Sequence, residues 1–251
     1  MRNNVVNHEH LTVLNQRSQS GGDKFVFEQF AIYLTPTNAR AQRVNNYFLE
    51  KINAAQKTFQ GVARGSFEDR ELPTDLELGV KVGAQVMMLN NDQRKRWVNG
   101  SMGKVVGVQS GDGDSFNEAS NNDDQPAQSD TVIIELETGE TVYVTPHTWE
   151  MFKFILDKHT QKVDSQTTGT YTQYPFKLAW AVTIHKAQGK TFDKVYIDLA
   201  SGTFAHDQLY VALSRCRTLQ GLYLKRPIIK EDIILDTRIV NFLNSFSQNE
   251  N

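Results

Sequence analysis

Apolar residues fall in short, distinct patterns along this chain. Ala31-Ile32-Tyr33-Leu34 is an apolar run that Thr35-Pro36-Thr37 breaks, and apolar residues then recur at Ala41, Val44, Phe48 and Ile52. An uninterrupted short run suits a strand buried on both faces, and a spacing of three and four suits a helix with one apolar side. A strand, a tight turn and an amphipathic helix are the expected opening of an α/β unit. Upstream, residues 1–24 are polar except for Leu11, Val13 and Leu14, and Gly21-Gly22 closes that stretch.

From Leu76 to Tyr143 the pattern changes. Val86–Leu89, Val105–Val108, Val132–Ile134 and Thr141–Val144 are short β-rich runs, separated by Asn90-Asn91, Asn99-Gly100, Gly103 and Gly139. Such spacing predicts a small antiparallel barrel or meander. Residues 110–130 interrupt it with Asp112, Asp114, Glu118, Asp123, Asp124 and Asp130 among Gly, Ser, Asn and Gln, a composition that builds no core. After Gln173-Tyr174-Pro175 the α/β pattern resumes. Leu178–Ile184, Val195–Ile197 and Gly221–Leu224 read as strands. Leu209, Ala212 and Leu213 mark a helix, and a last helix is expected from about Glu231, with Ile234, Ile239, Phe242, Leu243 and Phe246 on its apolar side. The boundaries drawn are 1–75 and 173–251 for two parts of one α/β domain and 76–172 for a β-rich insertion.

Composition narrows the classes. The 251 residues are 39% hydrophobic and 22% charged, ordinary for a folded protein, and 27 basic against 29 acidic residues leave a net charge of −2. A globally basic nucleic-acid coat is excluded; a local basic groove is not. The one cysteine, Cys216, excludes an internal disulfide and any cysteine-rich zinc site, and neither His147 nor His159 has a second ligand at zinc spacing, so no metal site is expected. No apolar run approaches the roughly 20 residues of a membrane helix. The expectation is an intracellular protein, cytoplasmic if bacterial, with no membrane contact.

Two strings carry candidate chemistry. Gln188-Gly189-Lys190-Thr191 ends like a phosphate loop, but that motif needs glycine five residues before Gly189, where Ile184 stands, and the segment leads into a strand rather than a helix. The longer string from Trp180 to Thr191 places Thr183, His185, Lys186, Gln188 and Gly189 in a turn at the end of an apolar strand. Hydroxyl, imidazole and ammonium groups there can donate to phosphate oxygens, and open α/β sheets bind ligands at that edge. The second string, Gln208 to Arg217, puts Arg215 near the end of a short helix. A guanidinium is permanently charged and suits charge developing on a transferred phosphoryl group. Alone, it would merely neutralise the helix C-terminus, worth under about 1 kcal/mol when exposed. Arg94-Lys95-Arg96-Trp97 is open to two readings: a strand-gripping patch on which bases stack, or a solvated hairpin tip over a packed Trp97.

Taken together, these strings resemble the C-terminal half of superfamily-1B DNA helicases of the PIF-one and RecD-like group. Asn15-Gln16-Arg17 resembles the stretch before the fourth helicase motif, and Leu34 to Asn38 through Val44-Asn45 resembles that motif. Val82 to Met88 with Val98 to Gly103 resembles the entry to the family's inserted barrel, Ala179 to Thr191 the fifth motif and Tyr210 to Arg215 the sixth. The resemblance implies a RecA-like parallel-sheet domain interrupted by a small antiparallel barrel of the Src-homology-3 type.

It also implies roles. Arg215 would be the arginine finger on the terminal phosphate of ATP, with Arg40 or Arg43 as a second positive contact. Thr183, His185 and Lys186 would touch the DNA backbone; Arg96 and Trp97 are further candidate contacts on the strand-gripping reading of their own stretch, not from the resemblance. Gln188 and Gly189 would link the DNA contact to the nucleotide side. Thr37 and Asn38 would sit where the fourth motif meets nucleic acid or nucleotide. The implied partners are single-stranded DNA and an N-terminal RecA-like domain absent from this chain. That domain would carry most of the site for ATP and Mg2+, so the chain alone is expected to be an inactive, monomeric part of a 5′-to-3′ helicase. The alternative is a non-enzymatic single-strand binding module that kept the groove and lost the motor. Because residues 110–130 hold nothing that builds a core, deleting Gly111 to Gln128 is expected to leave folding intact; a large loss of stability in a thermal melt would contradict this.

Overall fold

The computed structural model describes residues 8–18, 25–65, 67, 72–111, 129–156, 163–199, 205–234 and 238. In chain order the first elements are α1 (His8–Asn15), β1 (Ile32–Thr35), α2 (Asn38–Lys51), β2 (Gln56–Gln60), β3 (Val62–Gly65), β4 (Glu77–Lys81) and β5 (Gln85–Met88). Next come β6 (Met102–Gln109), β7 (Thr131–Leu136), β8 (Thr141–Val144), β9 (His147–Leu156) and β10 (Val163–Gln173). The last are β11 (Phe176–Leu178), β12 (Ala181–Thr183), β13 (Val195–Ile197), α3 (Gln208–Leu213) and β14 (Leu222–Leu224). They form two compact units, Met1–Phe48 with Ala179–Asn251, and Leu49–Leu178. The second is wider than 76–172 because β2 pairs antiparallel with β4, and β3 with β10. No helix among the described residues is long and apolar enough to cross a membrane.

The first unit is α/β. Its four strands are parallel, in the order β12-β1-β13-β14. Residues of β1, β12 and β13 are all buried, which is why these strands read as continuous apolar runs. The register aligns Tyr33 with Tyr196 and Tyr196 with Tyr223, and the three rings stack at 4.8 Å centroid spacing. Ala41, Val44, Phe48 and Leu49 form the buried side of α2, and Phe48 packs 5.7 Å from the Trp180 ring.

Side chains meet both outer strands. The Asn45 amide donates to Ala181 O (2.9 Å) and its oxygen accepts from Ala181 N (2.8 Å). On the far side Leu224 N donates to Arg17 O, the Arg17 guanidinium donates to Leu222 O and Gln220 O, and Asn15 makes the same paired contact with Ile228. The sheet order therefore has the stretch around Asn15 to Ser18 beside β14, a structural part that spacing alone did not reveal.

In the second unit β5 to β8 run as an antiparallel meander with β11 added beside β5. The apolar run 178–184 is two strands: Phe176–Leu178 pairs with β5, and Ala181–Thr183 joins the parallel sheet. The β9–β10 hairpin was not among the expected runs: β10 is mostly Thr, Ser and Gln and carries little apolar signal, while β9 has apolar residues at Trp149, Met151, Phe152 and Phe154 to Leu156. Lys230–Asp232 is a 3-10 turn whose Asp232 is buried and paired with Arg226, and the helix expected from about Glu231 falls mostly outside the described residues, of which Arg238 is helical. Ile239, Phe242, Leu243 and Phe246, like Gly21-Gly22 and residues 112–128, lie outside the described residues.

Removing the Asn45 amide leaves a buried backbone donor and acceptor of Ala181 without their partner, each costing about 1–3 kcal/mol. Asn45→Ala is expected to lower unfolding free energy by about 2 kcal/mol in urea denaturation, and an unchanged midpoint would show the contact to be dispensable.

Candidate functional site

The carboxyl edge of the parallel sheet gathers most of the singled-out residues, because β1 and β12 lie side by side with Thr35 opposite Thr183. Ile184 N donates to Thr35 O (2.9 Å), starting both following turns from one point. After β1, the Thr37 hydroxyl accepts from Arg40 N (3.2 Å) and its carbonyl from Ala41 N, capping the start of α2. After β12, the buried Thr183 hydroxyl accepts from Lys186 N (3.3 Å) and its carbonyl from Ala187 N. Both threonines thus hold turns. The exposed donors on those turns are Asn38, His185, Lys186 and Gln188. Gly189 has φ +81°, a left-handed conformation costly for other residues.

Arg40 and Arg43, left undivided by the sequence, have different surroundings. Arg43 is exposed. Arg40 donates through Nε (3.0 Å) and a terminal nitrogen (2.9 Å) to Asp198, whose side chain is 2% exposed, and Lys225 Nζ stands 3.6 Å from the same oxygen. The Phe25 ring lies against both cations, 4.1 Å from Lys225 Nζ and 5.3 Å from the Arg40 guanidinium carbon. Asp198 directly follows β13, so its place at the edge comes from the sheet; its partner is far away in sequence and left no spacing signal.

Arg215 is half-buried and bonded at three corners. Nε donates to Val211 O (3.0 Å), one terminal nitrogen to Lys190 O (3.0 Å) and the other to Ser214 Oγ (2.9 Å). The Val211 contact satisfies a carbonyl of the last turn of α3, so the plain helix-end role is present alongside the rest. Phe192 N donates to Arg215 O and Arg217 N to Phe192 O, so the segment after the turn is bonded to the one bearing Arg215. Burial lowers the pKa of Lys190, which sits between them.

The basic patch lies in the other unit, where Trp97 is 6% exposed and donates from Nε1 to Asn90 Oδ1 (2.9 Å). Arg96 covers its ring at 4.5 Å and binds Asp92 through two nitrogens at 2.9 and 2.7 Å. Of the two readings of this stretch the packed one describes it: Trp97 presents no face for a base, and the Arg96 guanidinium is committed to Asp92. Arg94 and Lys95 are exposed.

A model of the UvrD-like helicase C-terminal domain matches residues 178–223, spanning the turn after β12 and the segment of Arg215. Over 220 residues the chain is 30% identical to the ATP-dependent DNA helicase Pif1 of Bdellovibrio bacteriovorus, covering 85% of this chain and 43% of that protein. The solved structure of unliganded Pif1 from Bacteroides sp superposes with a TM-score of 0.78 at 30% identity, over 98% of this chain and 52% of that one. The chain is Pif1-like. The same Bacteroides Pif1 has been solved with ADP-AlF4 (TM-score 0.75, 30% identity) and bound to ssDNA (TM-score 0.68, 30% identity), each matched over 99% of this chain and 52% of that one. The chain therefore spans about half the length of these solved relatives.

In this Pif1-like chain, Arg96 holds the Asp92 carboxyl down to about 2, mainly through their hydrogen bond. A carboxylate whose folded pKa is depressed adds stability that is present above its unfolded value, near 3.9, and is lost as pH falls toward the folded value. Asp92→Asn should therefore be less stable than wild type at about pH 6, with the difference closing between about pH 5 and pH 2. Urea midpoints measured across that range check this; a gap persisting at the acid end would assign the loss to something other than the charge.

Proposed function

We propose that this chain forms the second RecA-like domain, with an inserted barrel of the Src-homology-3 type, of an ATP-dependent DNA helicase moving 5′ to 3′ along single-stranded DNA. The observation that carries the reading is the bond from Arg215 to Lys190 O, which ties the candidate arginine finger to the turn bearing His185 and Lys186. A charge change at one is thereby felt at the other. Arg215 would stabilise charge on the transferred phosphoryl group, and either Arg43, which is exposed, or Arg40, which is paired with Asp198, would add a second cation on the nucleotide side.

On the strand side, Asn38, His185 and Lys186 donate to phosphate oxygens. Such contacts position a backbone without reading its sequence, as a translocating motor requires. Thr37 and Thr183 fix the two turns, and Gln188 with Gly189 joins them to the Arg215 segment. Closure on ATP would move that segment and shift the grip on DNA, and hydrolysis would reset it. Among the described residues no three His, Cys, Asp or Glu side chains come together as metal ligands. The magnesium expected with ATP, and the lysine that binds its phosphates, are assigned to a preceding RecA-like domain. The reading takes the motor as monomeric and intracellular.

The test joins this chain to a Pif1-type N-terminal half and measures ATP hydrolysis with and without single-stranded DNA. DNA-stimulated turnover is expected, with Arg215→Ala lowering kcat about a thousandfold while DNA binding is kept. Full turnover by that variant would refute the finger. Turnover by the chain alone would refute the divided nucleotide site.

A further inference from the structure

The contacts around Arg215 assign a role to a neighbour that the chemistry above leaves unused. Ser214 is the exposed residue that closes α3, with φ −73° and ψ −3°. Its hydroxyl donates to Val211 O (2.9 Å), and its oxygen accepts from a terminal nitrogen of Arg215 (2.9 Å). The Val211 carbonyl also receives Arg215 Nε (3.0 Å), so carbonyl, hydroxyl and guanidinium close a three-membered ring of hydrogen bonds. A serine hydroxyl has one hydrogen. With that hydrogen on Val211 O, the lone pairs of the oxygen are left for Arg215.

Counting donors shows what this does. A guanidinium carries five N–H groups in one plane. Val211 O, Lys190 O and Ser214 Oγ take three of them, one on each nitrogen. Each terminal nitrogen keeps one N–H, so the guanidinium, in a fixed plane, still has donors for the oxygens of an anion. The three bonds therefore leave the arginine able to bind phosphate while removing its freedom to rotate. A long side chain that is already ordered loses less entropy when the transition state forms.

We infer that Ser214 is a positioning residue: its hydroxyl sets the plane of the Arg215 guanidinium so that its remaining N–H groups are held ready for the terminal phosphate. This rests on the finger reading of Arg215. The effect of Ser214 passes through Arg215, so it should appear in the chemical step and not in substrate affinity.

The experiment uses the chain joined to a Pif1-type N-terminal half, with ATP turnover measured at saturating single-stranded DNA. Ser214→Ala is expected to lower kcat about tenfold with KM for ATP unchanged. Ser214→Thr, which keeps the hydroxyl, should restore most of the rate. The melting temperature and the affinity for single-stranded DNA should be the same in all three proteins. Wild-type kcat in Ser214→Ala, a Thr variant as slow as the Ala variant, or a rate loss that comes with a lower melting temperature would each overturn the inference. Arg215→Ala, run alongside, separates the two failures. If it is slow while Ser214→Ala is not, the finger stands and the positioning role falls; if it keeps full turnover, the finger reading falls and this inference with it.

Discussion

The carboxyl edge of the sheet exists because β1 lies between β12 and β13. Tyr33 aligns with Ala181 on one side and Tyr196 on the other, so a strand from the start of the chain is held by two strands from near its end. Parallel neighbours need a crossover connection, and here the path from β1 to β12 runs through the whole second unit. Loop closure over such a distance costs only slightly more than over a shorter one, since the entropic term grows with the logarithm of length. What must be satisfied is register. Thr35 has to meet Thr183, or the two turns that follow them would not start from one point.

Once that register is set, short-range bonds do the rest. Thr37 and Thr183 each close a turn with their own hydroxyl, and Asp198 gathers Arg40 and Lys225 over one oxygen. Asp198 is nearly inaccessible to water, and removing a cation from such a carboxylate leaves a buried charge that is costly to keep. The cluster also ties the ends of β13 and β14 to the first turn of α2. Three connections emerging from the sheet are thereby held to one another.

Much of this is legible in the sequence. Ala31–Leu34, Val195–Ile197 and Gly221–Leu224 announced buried strands because a parallel sheet covered on both faces leaves no polar alternation. The strings around His185 and Arg215 were visible as polar residues placed where apolar runs stop. Strand β10 was invisible for the opposite reason: Val163 to Gln173 is mostly hydroxyl and amide residues, and its pairing is set by register with β9. Leu178 to Ile184 misled because burial looks the same in either sheet. Nothing in the sequence separated Arg40 from Arg43; their different surroundings come from Asp198, from a strand that folding brings alongside. Trp97 was undecidable from its cationic neighbours, since Arg96 can cover an aromatic ring as easily as flank an exposed one.

The contacts on the two outer strands of the parallel sheet have one more effect. An outer strand with open backbone groups is a template on which another chain can add a strand, the common route to aggregation. Here the Asn45 amide occupies the backbone of Ala181 on β12, and Arg17 with Leu224 closes the side of β14. Asn45 and Arg17 thus act as terminators of sheet growth. Without the contacts of Arg17, the backbone of Leu222–Leu224 would stand open to an added strand.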